Sequence, residues 1–590
     1  MIEIGKVINS TPGNIQIMLS DIDTFEKNKS NLRVSRYVII EDGNETKILA
    51  SIQNIIANLG EKADTISYTL STTPIGSYVE KEEGIEFKQG GVNLPSPTEP
   101  AYLPDDSIVN QIFSCNENFS FELGTLSNNK NVRYFVDGNK FFGKHIAVVG
   151  STGSGKSCAV ASILQKVMNI NKGKNMSQNK KKNSHIIIFD IHSEYHSAFS
   201  LDESEKFTLN NLDVEKLCLP YWLMNSQELE ALFIESNEMN SHNQISQFKK
   251  AVILSKEKHN PEMNHINYDT PVYFDIWEVY RYIKNKNKEI ICKEDGQPNK
   301  PKKSDNTLID NPDNDYLNEE FTFSVSSTAT GKKAGNGPFT GDFERFITRL
   351  ETKLSDKRLK FITAPQKDND EPYKTEDFDT ILKQFLGYIE KANVSIIDLS
   401  AIPFEVLSIV VSLLSRVIFD FAFHYSKIKH IQDSVNDIPF MLVCEEAHNY
   451  IPKSGGAEYN ASKHSIERIA KEGRKYGLNL MVVSQRPSEV SETIFSQCNN
   501  FIVLKLTNVN DQNYIKNLLP DNNSSLVSVL PTLAAGECLA VGDAVPLPAI
   551  INMEMPNPIP SSSNVEVYDE WNKEWIDVIF EDIIKRWRKE

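Results

Sequence analysis

Eight consecutive residues, Gly150-Ser151-Thr152-Gly153-Ser154-Gly155-Lys156-Ser157, constrain this chain more than anything else in it. They match the Walker A pattern, follow the apolar run Ala147-Val148-Val149 and precede a helical run over residues 158–167. The chemistry requires that setting. Glycines let successive backbone N–H groups turn inward around phosphates, and the start of the next helix adds the positive end of its dipole. Lys156 is then expected to reach the β- and γ-phosphates, and the Ser157 hydroxyl to ligate Mg2+. A strand, a phosphate loop and a helix in that order belong to a parallel sheet covered by helices on both faces. The loop alone therefore predicts an α/β core that binds ATP.

The rest of such a sheet is legible as short apolar runs at 145–149, 185–189, 394–399, 440–444, 478–484, 501–506 and 537–541. The run 440–444 ends in Glu445-Glu446-Ala447-His448, a Walker B arrangement. There the first acid, Glu445, holds the Mg2+ shell and the second, Glu446, polarises the attacking water. Glu445 stands where Asp is usual, and its extra methylene shifts the carboxylate or routes the contact through water. The run 478–484 leads into Gln485. Ligands of open α/β sheets lie beyond the carboxyl ends of the strands, so Gln485 is expected to face the γ-phosphate.

The run 185–189 leads into Asp190-Ile191-His192-Ser193-Glu194-Tyr195 and is expected beside the P-loop strand. Asp190 would support the metal's water shell and Glu194 would act on a nearby group, while His192 reads as a loop or core histidine. Arg474, in Lys471-Glu472-Gly473-Arg474-Lys475-Tyr476-Gly477, is a candidate arginine finger for a neighbouring subunit, because its planar fork stays charged. A solvated Arg, or one paired with Glu472, fits the same residues.

Around this core the texture changes. Residues 1–110 hold short β-type runs separated by turns such as Thr11-Pro12-Gly13-Asn14, the spacing of a small antiparallel barrel or sandwich. The first part of the ATPase core is expected over 111–220 and the second over 386–560. Between them, 221–385 reads as a mainly helical insertion, with helical runs at 226–254 and 341–359. Its Lys/Asn/Asp/Pro-rich stretch 284–311 has the composition of a partly disordered segment. In the tail 561–590, Tyr568, Trp571, Trp575, Ile579 and Ile583 recur every three or four positions, which predicts one amphipathic helix.

At 590 residues the chain needs more than one core. No apolar run is read as approaching the roughly 20 residues of a membrane helix, and the N-terminus lacks the basic-then-apolar pattern of a secretory signal. The expectation is a cytoplasmic protein with no membrane partner. Seven cysteines are scattered without a CxxC pair, which argues against a zinc site or a disulfide framework. The net charge of −17 excludes a surface that coats nucleic acid as a whole, though not a channel with a local basic lining. The cluster Lys172, Lys174, Lys180, Lys181 and Lys182 reads as a solvated loop.

Taken in order, these motifs resemble the HerA/FtsK branch of RecA-like motor ATPases, and most closely the HerA family. The Asp190–Tyr195 element and the run Leu219-Pro220-Tyr221-Trp222-Leu223-Met224 are more specific to that family than Walker A is. The resemblance implies a RecA-like core behind an N-terminal barrel, in a homohexamer that hydrolyses ATP at subunit boundaries and translocates double-stranded DNA. It implies a nuclease partner, or a sirtuin-like or other effector in phage defence. It assigns phosphate and Mg2+ to Lys156 and Ser157, water activation to Glu446, γ-phosphate contact to Gln485 and a trans finger to Arg474. Two other classes stay open on the residues: an ATP-gated scaffold for a nuclease or NAD-consuming enzyme, with little translocation, and a P-loop kinase or signalling NTPase.

Overall fold

The computed structural model describes residues 1–42, 46–59, 66–82, 84–90, 93–115, 117–169, 183–199, 209–235, 238, 240–329, 333–454, 460–519, 524–562 and 566–588. The five clustered lysines, Lys172, Lys174, Lys180, Lys181 and Lys182, lie outside them.

The N-terminal strands close into a barrel. Their order is Asn14–Leu19, Ile2–Thr11, Pro100–Leu103, Tyr37–Glu41, Lys47–Leu59 and Ile66–Lys81, and the last pairs back onto the first through Ile15↔Thr72 and Ile17↔Leu70. Closure follows from period-two patterning: Ile15, Ile17 and Leu19 point inward with Val38, Ile40, Ile48 and Leu70, so one face of each strand is buried. A further strand, Gly84–Gln89, extends from Ile66–Lys81 outside the closed ring. Ile39, Leu49 and Tyr78 face the other way and pack on Val109, Ile112 and Phe113, which seats the barrel against the larger unit.

That unit is built on an eleven-stranded sheet among the described residues. Its parallel part runs in the order Leu209–Leu212, Val394–Asp398, His185–Asp190, Phe440–Cys444, Leu478–Ser484, His145–Val149 and Cys498–Leu504. Antiparallel strands Glu537–Gly542, Ala549–Met553, Ser120–Leu126 and Asn129–Asp137 continue it. The P-loop strand His145–Val149 is buried at every position, as a strand covered on both faces must be. One sequence expectation is corrected here. The strand ending at Asp190 is not beside the P-loop strand; Phe440–Cys444 and Leu478–Ser484 lie between them. Apolar composition marks a strand as central without saying which neighbour it takes.

The insertion leaves the sheet after Leu209–Leu212 and returns at Val394–Asp398, two strands that pair directly, Leu209↔Val394. It is mainly helical, with Ser226–Phe233, Ser241–His259, Ile276–Lys288, Glu344–Ser355 and Phe378–Phe385 as its larger helices. Trp222, Phe248, Tyr282 and Tyr316 from this region share one buried cluster with Phe189, Leu442 and Val482 of the sheet, so the two are fused through a common core. A buried ion pair adds to the join. Arg416 lies 2.9 Å from Glu228 Oε2, and the Ser412 hydroxyl donates to Glu228 Oε1 at 2.8 Å.

Three further expectations change. The stretch 284–311 is folded: Ile290–Cys292 pairs with Ala334–Asn336, and buried Lys302 meets Glu294 at 2.6 Å. Paired lysines and packed apolar neighbours override composition there. Helix Phe404–Ile431 is long and apolar enough to cross a membrane, and the sequence reading passed over it; 78% of its most apolar window is buried in the protein, as expected of a core helix. The tail is two short helices, Val567–Trp571 and Phe580–Arg588, where one was expected. Its aromatic side chains are exposed, so no packing enforces a continuous helix across the break.

Candidate active site

Parallel strands deliver their carboxyl ends to one edge of the sheet. Val149 pairs with Ser484, and Cys444 with Val482, so Glu446 comes level with Ser484 beside the phosphate loop. Within the loop, Gly153 and Gly155 have φ of +73° and +94°, values that a side chain would strain. A Cβ on Gly150 would meet Ser154 Oγ at 2.6 Å and Leu504 Cβ at 2.8 Å. Helix Lys156–Asn169 starts where the loop ends. Thr152, Gly153, Lys156, Ser157, Glu446 and Gln485 line one cavity of about 570 Å³.

The side chains in it are already in contact. Lys156 Nζ lies 3.9 Å from Glu446 Oε1 and 3.5 Å from the Ser151 carbonyl. Burial lowers the Lys156 pKa, and the carboxylates of Glu446, Glu445 and Glu194 oppose that shift. Gln485 bridges the two motifs: its side-chain amide donates to Glu446 Oε1, while its carbonyl accepts from the Thr152 hydroxyl. The Gln485 backbone N–H donates to Glu446 Oε2 at 3.3 Å. His448, to which the sequence reading gave no role, sits 3.3 Å from Glu446 Oε2 and 3.2 Å from the Ser484 hydroxyl. Glu446 itself is held at φ +43°, ψ +47°, a left-handed conformation that costs a non-glycine residue about 1 kcal/mol.

Glu445 is as buried as Glu446, 3% exposed, and its Oε2 has no hydrogen-bond partner. Burial raises its pKa well above the ordinary carboxylate value, with Asp190 and Glu194 adding to the shift. Asp190 spends its carboxylate on the backbone N–H groups of Glu194 and Tyr195 at 3.1 and 2.9 Å, so it shapes the loop. Glu194 reaches the phosphate loop and accepts from the Ser157 hydroxyl at 2.6 Å. His192 lines the cavity from the same loop and is exposed. Among the described residues, no three His, Cys, Asp or Glu side chains gather into a ready-made metal cluster.

Arg474 is not part of this constellation. It is exposed in the turn Gly473–Tyr476, at the amino end of strand Leu478–Ser484, whereas the cavity opens at the carboxyl ends. The sequence reading also missed a wall of the site. After strand Ala549–Met553 the chain crosses the phosphate-loop helix: Gln165 accepts from Asn557 N–H and donates to the Pro558 carbonyl, and Ser561 N–H donates to the Glu194 carbonyl at 2.9 Å. Met555, Ile559 and Pro560 thereby line the cavity. The run Met555-Pro556-Asn557-Pro558-Ile559-Pro560 was the available signal, since its prolines exclude helix and sheet.

A sequence family described as "Helicase HerA, central domain" matches residues 121–418, just over half of the chain. The chain belongs to the HerA helicase family. It is accordingly a P-loop ATPase, an enzyme that uses a nucleotide. Two HerA relatives align along nearly the whole length. The "Probable DNA double-strand break repair helicase HerA" of Methanocaldococcus jannaschii is 25% identical over 566 residues, 93% of this chain and 96% of that protein. The "DNA double-strand break repair helicase HerA" of Sulfolobus acidocaldarius is 26% identical over 586 residues, 95% and 96% of the two. Among solved structures, the bacterial conjugative coupling protein TrwBdeltaN70 aligns with a TM-score of 0.42 at 12% identity, over 78% of this chain and 94% of that one. Likeness at that level carries no residue roles to this HerA-family chain.

Proposed function

We propose that this chain couples ATP hydrolysis to movement along double-stranded DNA, as a subunit of a homohexameric ring in the cytoplasm. One observation carries the reading: Lys156, Glu446 and Gln485 converge on a single cavity although more than 300 residues separate the first from the last. In this scheme residues 1–110 form the collar, 111–220 and 386–560 the motor, 221–385 its insertion and 561–590 a tail.

The backbone of residues 150–157 holds the triphosphate, with Lys156 along its β- and γ-oxygens. Glu446 accepts a proton from water as the water oxygen bonds to the γ-phosphorus and the bond to the β-bridging oxygen breaks, giving ADP and inorganic phosphate. Gln485 holds Glu446 and touches Thr152, so it is placed to feel whether a γ-phosphate is present. Arg474, remote from its own cavity and exposed, would serve the next subunit's nucleotide. Ser157 and Glu445 would hold Mg2+, which neutralises phosphate charge when bound. The buried, unpartnered Oε2 of Glu445 fits that assignment, because a divalent cation reverses the pressure of the surrounding acids.

The names of the relatives, DNA double-strand break repair helicases, support DNA as the track; the associated enzyme in this scheme is a nuclease or an anti-phage effector. The exposed tail side chains Trp571, Trp575 and Trp587 favour a second reading, an ATP-gated scaffold that docks an effector. Phosphate release with and without duplex DNA, together with a triplex-displacement assay, separates the two. DNA-stimulated turnover with ATP-driven displacement is expected. An active assembly that ignores DNA in both assays would leave the scaffold.

A further inference from the structure

The acid in contact with the phosphate-loop serine is not one of the Walker B pair. The Ser157 hydroxyl donates to Glu194 Oε2 at 2.6 Å, while Glu445 keeps a buried, unpartnered Oε2 in the same cavity. We propose that Glu194 is the positioning residue that orients Ser157 for the metal-bound triphosphate and, through the charge of its carboxylate, also supports the metal's water shell. This rests on the ATP-site reading given above.

The loop that presents Glu194 is pinned from several sides. Asp190 accepts from the Glu194 and Tyr195 N–H groups. Ser193, at φ +56°, takes a left-handed turn, and its hydroxyl donates to Asp398 at 2.7 Å on the neighbouring strand. The Glu194 carbonyl accepts from Ser561 of the crossing segment. Tyr195 is fully buried. The phosphate-loop helix is tied to the same stretch, because the Gln165 side chain donates to the Ala198 carbonyl at 2.9 Å. Two strands separate the strand before this loop from the P-loop strand, yet the helix lying over it brings the two together.

So many constraints on one exposed turn give the carboxylate a defined place. An acceptor there fixes the serine rotamer, leaving the hydroxyl lone pairs to a cation, and an ionised acid beside it can accept from a metal-bound water. A purely structural role would ask only for a hydrogen-bond acceptor. The amide of Glu194→Gln supplies that acceptor through its oxygen and removes only the charge.

The test is binding of a fluorescent non-hydrolysable ATP analogue to the full chain, titrated with Mg2+ and repeated in EDTA. For Glu194→Gln, the Mg2+ concentration for half-saturation should rise about 10- to 100-fold, the range for groups that support a metal's ligands, with affinity in EDTA unchanged. Ser157→Ala should show the same shift, and the double variant no further loss, because the two act as one unit. A Glu194→Gln titration that superimposes on that of the parent overturns the proposal, as does an equal loss with and without Mg2+. Lys156→Ala is the control. If the parent binds no analogue in a Lys156-dependent manner, the ATP-site reading falls as well; if it does and Glu194→Gln matches it, only the role of Glu194 falls.

Discussion

The two edges of the parallel sheet are made from the same strands and have opposite character. At the amino edge, His145 opens the P-loop strand with both ring nitrogens occupied: Nδ1 accepts from Leu480 N–H and Nε2 donates to the Ala470 carbonyl, each at 2.9 Å. Burial, helped by Arg474, pushes its pKa down to about 4, so the ring is neutral and serves to lock strand to helix. At the carboxyl edge, Glu446 is strained, Ser154 Oγ and Glu445 Oε2 are buried without partners, and Lys156 is drawn among three carboxylates. Unpartnered atoms occur at the amino edge too, His185 Nδ1 and Asn479 Oδ1 among them, so what sets the carboxyl edge apart is that Lys156, Glu445 and Glu446 meet in one open cavity. The comparison separates residues that support the sheet from those proposed to act on the nucleotide.

Substitutions should divide the same way. Lys156→Ala should reduce ATP hydrolysis to background with an unchanged melting temperature, as measured by phosphate release and differential scanning fluorimetry. Glu446→Gln should keep nucleotide binding and lose about 10³-fold in turnover, the scale of a missing general base. Gln485→Ala should cost about 10²-fold in turnover, as expected for one preorganised contact to the reacting groups.

The amino edge should respond in stability instead. Unfolded chains protonate His145 below pH 6.5, whereas the folded chain resists until about pH 4. Its contribution, present above 6.5, is therefore lost as pH falls to 4, about 3 kcal/mol in all. Urea melts of His145→Gln should be flatter than the parent's across that window, with turnover at pH 8 retained. The smallest effect returns to the strained edge. Glu446→Gly should be about 1 kcal/mol more stable than Glu446→Ala, which loses the same carboxylate contacts but keeps a side chain in the left-handed backbone, while both abolish hydrolysis. A Glu446→Gly protein no more stable than Glu446→Ala would break the contrast between the edges.

Much of this was legible beforehand. The barrel could be read because alternation is local, and the phosphate loop because its glycines, strand and helix are contiguous. Glu446 and Gln485 were legible as strand-end residues, and the structure brings them together. Arg474 was legible only as a candidate, and it stands apart from its own cavity. The position of the Asp190 strand was misread because burial on both faces looks the same at every place in a sheet. The folded stretch at 284–311 and the break in the tail were misread for the opposite reason: composition and periodicity describe what a segment prefers, not whether a neighbour is there to bind it.

By itself, then, the sequence determined the local chemistry: which loop cradles phosphate, which acids end strands, which runs are buried. Only the tertiary structure decided that Glu194 meets Ser157, that the segment after Met553 walls the cavity and that Glu446 is strained. Those contacts join residues 37 to hundreds of positions apart, and their geometry depends on strand order and helix crossing, which no local pattern encodes.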